Sequence, residues 1–122
     1  MNYKKIITGR RGEDIAVELL SKHGYRIIER NYRCRQGEID IIAMDGTALV
    51  FIEVKTRSSD RFGPPASAVD AGKQGRMAHV ALKYMADKGL SDIEARFDVV
   101  SVVVSVSGHS ADIIRDAFEW SE

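Results

Sequence analysis

The chain has 122 residues, 44% hydrophobic and 30% charged, a size and composition from which one globular domain spanning 1–122, with a modest core, is expected. Its 18 Lys and Arg balance 18 Asp and Glu, so net charge alone argues against an avid, non-specific nucleic-acid binder. No apolar run reaches bilayer or signal-peptide length, so no membrane contact is expected and the cytoplasm is the expected compartment.

The single cysteine, Cys34, has no partner for an intrachain disulfide and no Cys or His at ligand spacing, so a zinc site is not indicated. His23, His79 and His109 are scattered and read as ordinary histidines. Charge is unevenly distributed. Residues 1–76 hold 14 basic against 10 acidic side chains, a balance of +4, and residues 77–122 hold 4 against 8, a balance of −4.

From Gly9 to His23 the spacing of Ala16, Val17 and Leu20 predicts a helix, with Gly24 placed as its C-terminal cap. Glu13 projects from the same stripe as Ala16 and Val17, although an acid in the first turn also simply complements the helix dipole. Gly9 and Gly12 would let the helix start approach another backbone or a phosphate. Tyr25–Arg33 reads as a first strand and 34–37 as a link. Tyr32, among Arg30, Arg33 and Arg35, suits stacking on a base or a charge-guarded edge strand.

Residues 37–44 and 49–55 are rich in β-branched and aromatic side chains, and Asp45-Gly46 between them is a strong hairpin signal. A connection of two or four residues puts Met44 opposite Thr47 or Ala43 opposite Ala48, and with it Glu38 opposite Glu53 and Asp40 opposite Phe51. Period-two alternation then places Glu38, Asp40, Glu53 and Lys55 on one face, far from the turn. Ile39, Ile41, Val50, Ile52 and Val54 share one face and Ile42, Leu49 and Phe51 the other, which describes a sheet covered on both sides. Opposed carboxylates destabilise a sheet unless neutralised, and a divalent metal ion would neutralise them. A cation-rimmed acidic pocket suits a phosphate substrate that also needs a metal.

Residues 56–65 hold both prolines and read as a loop, carrying Arg57 and Arg61 as substrate-contacting candidates. Ser67 with Asp70 resembles a capping box, opening a helix that runs to about Lys88 with the stripe Met77, Val80, Ala81, Tyr84 and Met85, closed by Gly89. Lys73 extends that stripe toward the helix start and the polar notch that Glu38, Asp40, Glu53 and Lys55 cut into one face of the sheet. Arg96–Val106 predicts a buried strand, parallel to the hairpin sheet through a right-handed crossover. Residues 107–110 read as a turn, Ala111–Arg115 as a last short strand, and Phe118 and Trp120 as tail residues packed on the body. Asp98 reads as structural, paired with Arg96 or a backbone donor.

Gly37-Glu38-Ile39-Asp40 followed by Val50-Phe51-Ile52-Glu53-Val54-Lys55-Thr56-Arg57 resembles the core motif of the PD-(D/E)xK nuclease superfamily. More closely, the chain resembles the YraN-like family of uncharacterised bacterial proteins, similar in turn to archaeal Holliday-junction resolvases. The likeness also takes in Gly9 and the Glu13 helix, 30–33, Gly63-Pro64, Lys73, 96–100 and Ala117-Phe118. It implies an α/β fold with a restriction-endonuclease-like core, a mixed sheet of about five strands flanked by helices on both faces, in the order α-β-β-β-α-β-β.

The resemblance implies Asp40 and Glu53 as ligands of Mg²⁺ or Mn²⁺, Lys55 as the catalytic lysine, Glu13 as a helix-borne acid and Glu38 as an additional metal ligand. Lys73 stands where related nucleases carry Gln or Lys. Arg10, Arg11, Arg33, Arg57 and Lys73 are the side chains expected to meet nucleic acid. The motif's usual Pro before the Asp is replaced by Ile39, which does not touch the chemistry.

The implied activity is metal-dependent hydrolysis of DNA phosphodiester bonds, on branched or damaged DNA, by a chain that pairs as a homodimer. The alternative is a catalytically silent nucleic-acid-binding or partner-binding module that keeps the nuclease fold. A surface ion-pair network made by Glu38, Asp40, Glu53 and Lys55 ranks last, since exposed pairs contribute little stability.

Overall fold

The structure, a computed structural model, describes residues 3–58 and 69–120, with side chains described from Arg10 onward. Among the described residues seven elements follow one another: α1 (Tyr3–Lys22), β1 (Arg26–Cys34), β2 (Gly37–Asp45), β3 (Ala48–Ser58), α2 (Ala71–Asp87), β4 (Ala95–Ser105) and β5 (Gly108–Phe118). The strands lie side by side in chain order. All neighbours are antiparallel except β3 and β4, which α2 joins as the predicted parallel crossover. This is the mixed α/β arrangement, in the order α-β-β-β-α-β-β, that the sequence implies.

Each helix takes one face of the sheet. Met77, Val80, Ala81 and Tyr84 of α2 pack with Ile42, Leu49, Phe51 and Phe97, while Ala16 and Leu20 of α1 pack with Ile41, Ala43, Val50, Ile52 and Val100. Along β3 the two sets alternate residue by residue, because successive side chains point to opposite faces. The strand is apolar on both sides since a helix covers each side.

Helix α1 begins at Tyr3, not at Gly9. An interior glycine costs a helix only about 1 kcal/mol relative to alanine, so Gly9 and Gly12 do not stop it. Gly12 serves a close approach: a Cβ there would run into the Thr56 side chain on β3. The helix ends as expected at Gly24, whose φ of 86° suits a left-handed cap, with Tyr25 N donating to Leu20 O at 3.0 Å.

At the start of α2, Asp70 is itself the N-cap, its Oδ1 accepting from Lys73 N at 2.8 Å. The sequence pattern alone puts Asp70 inside the helix behind Ser67. Ser67, the two prolines and Arg61 lie outside the described residues. Arg57 is in strand rather than loop, because parallel pairing with β4 carries β3 on to Ser58.

The last strand runs for 11 residues, longer than the short segment 111–115 that the sequence suggests. Its register shifts at Asp116, which has a φ of 51°, and pairing resumes so that Phe118 lies opposite Phe97. Phe118 and Trp120 both pack on Phe97, with ring centroids at 4.7 and 4.6 Å, as expected for the tail.

Candidate functional site

The site grows out of where β2 and β3 separate. Their two-residue connection is Gly46-Thr47, so Asp45 lies opposite Ala48, Met44 opposite Leu49 and Ile41 opposite Ile52. This corrects the predicted register by two residues. The Asp-Gly pair does not form the corner because Asp45 stays in the strand, where its Oδ2 accepts from Arg96 Nη2 at 2.7 Å and Arg115 Nη1 at 3.3 Å. Asp40, expected opposite Phe51, therefore sits one step beyond the last pair, level with Glu53 rather than Phe51.

Pairing stops at Ile41 and Ile52, and the strands part. The Val54 N–H next along β3 donates instead to Asp40 Oδ2 at 2.8 Å, so a carboxylate takes the place of a ladder partner. Here β2 also turns over: Ile39 packs on the α2 side and Ile41 on the α1 side. The predicted grouping of Ile39 with Ile41 fails because the period-two rule is broken at Asp40. On the neighbouring strand, Asn31 has a φ of 55° between residues paired with Ile41 and Ile39, so both strands are irregular at this level.

Glu53 is only 5% exposed and lies on the α2 face of β3. Its Oε1 accepts from Lys73 Nζ at 2.6 Å, the hydrogen-bonded ion pair that ties the first turn of α2 to the sheet. Burial, with the nearby Glu53 charge and a smaller push from Glu13, raises the Asp40 carboxyl to about 6 against the Val54 N–H and Lys73. Burial alone would lower the Lys73 pKa. The hydrogen bond that the ammonium donates to Glu53 and the charges of Glu53, Asp40 and Glu38 outweigh it, so the Lys73 pKa is raised overall.

Glu13 enters from α1. Its Oε1 accepts from Arg30 Nε at 3.0 Å and Asn31 Nδ2 at 2.9 Å, which fixes it beside the Asp40 level of the sheet. Asn31 and Arg30 are the residues that sequence reasoning missed. The available signal was an asparagine within a strand pattern, a residue type that tolerates φ > 0 and often marks an irregularity.

Glu38 is exposed and pairs with Arg33 across the first hairpin at 3.0 Å. Lys55 follows Glu53 on the same face of β3 but is exposed, and its charge helps lower the Asp70 pKa, chiefly set by the bond from Lys73 N. The structure thus draws Asp40, Glu53 and Lys73 together, sets Glu13 against Arg30 and Asn31, and leaves Glu38 and Lys55 toward solvent. Among the described residues, no three or more His, Cys, Asp or Glu side chains are grouped closely enough to hold an ion by themselves.

Arg10, Arg11, Arg33 and Arg57 are exposed. Arg10 and Arg11 precede Gly12, which touches Thr56, so they and Arg57 border the same end of β3. Tyr32 is half-buried, its ring in a T-shaped contact with Tyr84 at a centroid distance of 5.1 Å. Among the described residues, no helix is long and apolar enough to cross a membrane.

Asp98 is fully buried on the α1 side and accepts from Tyr25 Oη at 2.7 Å, Arg96 Nε at 3.0 Å and Asp116 N at 2.9 Å. Burial, and then the Asp98 carboxylate, push the Tyr25 hydroxyl up to about 12 against Arg96 and Arg115. The pairing expected for Asp98 is thus present, and it locks the β5 irregularity to the sheet.

Residues 12–102, which include Glu13, Glu38, Asp40, Glu53, Lys55 and Lys73, match the uncharacterised protein family UPF0102. The chain belongs to family UPF0102. A UPF0102 protein of Syntrophus aciditrophicus (strain SB) is 51% identical over 112 residues, covering 92% of this chain and 88% of that one. A UPF0102 protein of Geobacter metallireducens (strain ATCC 53774 / DSM 7210 / GS-15) is 48% identical over 111 residues, 91% of each chain. UPF0102 is the bacterial, YraN-like family that the chain as a whole resembles, and its matched span runs from the site's helix through most of β4.

Proposed function

We propose that this UPF0102 chain is a metal-dependent endonuclease hydrolysing DNA phosphodiester bonds, on branched or damaged DNA, as the resemblance to PD-(D/E)xK nucleases implies. The observation that carries this reading is the meeting of Asp40 with the buried Glu53 where β2 and β3 part, with Asp40 pushed up to about 6. A half-buried carboxylate such as Asp40, whose charge desolvation and a like neighbour both disfavour, is suited to receive a cation.

The donor set fits magnesium or manganese. Carboxylate oxygens are the hard donors these ions prefer, and Mg²⁺ is typically held by one or two carboxylates, the rest of its shell being water and substrate phosphate. Asp40 and Glu53 would hold the ion, with Glu13 and Glu38 as outer acids. When bound, such an ion supplies Lewis acidity toward a phosphate oxygen and an attacking water. Asp40 is oriented by the Val54 N–H, and Arg30 with Asn31 holds Glu13 at the rim. Lys55, two residues beyond Glu53 and exposed, can meet phosphate charge that builds up at the transition state. Arg10, Arg11, Arg33 and Arg57 would engage the sugar-phosphate backbone, and a homodimer would present two such sites.

One observation favours the second reading, a nuclease fold that binds nucleic acid or a protein partner without turnover: the Lys73 ammonium already neutralises Glu53 at 2.6 Å. Incubating linear, nicked, flapped and four-way DNA with Mg²⁺ or Mn²⁺ separates the two. The enzyme reading expects metal-dependent cutting of at least one substrate, lost in Glu53→Gln. Binding without cutting of any of them leaves the silent module.

A further inference from the structure

Lys73 was expected to meet nucleic acid, yet its ammonium is held by Glu53 inside the notch. The tie is built at both ends. Asp70 caps α2 by accepting from Lys73 N, which fixes the Lys73 backbone, while Glu53 accepts from its Nζ. Lys73 is only partly exposed, and the Asp40 and Glu38 charges act on it together with Glu53. One side chain thus supplies positive charge to the carboxylates that, on the metal-dependent reading, would hold a cation.

We propose that Lys73 is an exchangeable internal counter-ion: its ammonium and a divalent cation compete for Glu53, and a phosphate group is the alternative partner that lets Lys73 leave. The inference rests on the metal-dependent reading and adds a coupling to it. Without phosphate, Lys73 holds Glu53 and metal binding is weak. With phosphate in place, Lys73 turns to the anion and Glu53 accepts the metal. Metal and phosphate then strengthen each other's binding, and by linkage the effect is reciprocal. Lys73 is in this sense a positioning residue, acting on the ion through Glu53.

Mn²⁺ titration at pH 8, followed calorimetrically without nucleic acid, tests this with wild type, Lys73→Gln and Lys73→Arg, and with Asp40→Asn as the binding-deficient control. Thermal melting in EDTA establishes that each variant is folded. The expected result is that Lys73→Gln binds Mn²⁺ about tenfold more tightly than wild type, within the usual range of coupling between sites, while Lys73→Arg stays close to wild type. Adding a short duplex DNA should tighten Mn²⁺ binding by wild type and have little effect on Lys73→Gln. Mn²⁺ binding by Lys73→Gln no tighter than by wild type overturns the exchange and leaves the metal reading intact. No Mn²⁺ binding by any variant, with or without DNA, overturns both.

Discussion

Replacing Asp40 by Asn removes the charge while keeping an oxygen that can accept from Val54 N–H, so it isolates the electrostatic part of the site. The Asp40 carboxyl is raised from an ordinary 3.8 to about 6, first by burial and then by Glu53. The folded chain therefore binds this proton more tightly than the unfolded chain does. Between those two values the folded state carries more bound proton, and stability falls as pH rises. At about 1.4 kcal/mol per pKa unit, Asp40 should withdraw about 3 kcal/mol of folding stability from the metal-free protein between pH 3.8 and pH 7. Urea unfolding in EDTA, at intervals from pH 4 to pH 8, measures it. The wild type should lose ground to Asp40→Asn between pH 4 and about pH 6 and then level off, ending about 2 kcal/mol less stable than the variant relative to their difference at pH 4. A gap that does not change with pH would refute the reasoning, since it would mean that the carboxylate is not penalised by its surroundings.

Three further outcomes follow from the packing around the site. Gly12→Ala puts a Cβ into the Thr56 side chain, so it should cost about 1–3 kcal/mol in urea unfolding, most of it recovered when Thr56→Gly is added. Asn31→Val should cost about 1–3 kcal/mol because a β-branched residue is strained at a φ of 55°, whereas Asn31→Gly should keep the backbone and loosen only Glu13. The two variants separate by thermal melting. Asp98→Ala strands the buried ends of Tyr25 and Arg96 and should cost about 3–5 kcal/mol, measured by urea unfolding.

The helices and β3 to β4 were legible because each signal had a simple period. Met77, Val80, Ala81, Tyr84 and Met85 mark a helix by spacing alone, and all are buried in the structure. The alternation of Leu49, Val50, Phe51 and Ile52 between two covering helices shows equally well in the residues. The junction of β1, β2 and β3 was not legible in the same way. Its geometry comes from two departures from period two, at Asn31 and at Asp40, and neither leaves a periodic trace. The hairpin register slipped by two because Asp45, part of a strong turn dipeptide, is bound as a strand residue by Arg96 and Arg115. A slip of two keeps the side-chain parity, so Glu53 and Lys55 stayed on the expected face while Asp40 moved from Phe51 to the level of Glu53.

The place of Lys73 was half legible. Its spacing from Met77 pointed it toward the notch, but spacing says nothing of which carboxylate takes the ammonium. That depends on Asp70 capping α2 at that turn and on Glu53 being buried beneath it. Glu13 shows the same limit: its stripe was readable from Ala16 and Val17, its lock by Arg30 and Asn31 was not.

If Asp40 and Glu53 share one divalent ion, a calorimetric titration of the folded protein with Mg²⁺ and with Mn²⁺ registers it. Saturable binding by the wild type, lost in both Asp40→Asn and Glu53→Gln, is the predicted result. Heats that are the same for all three proteins would contradict it.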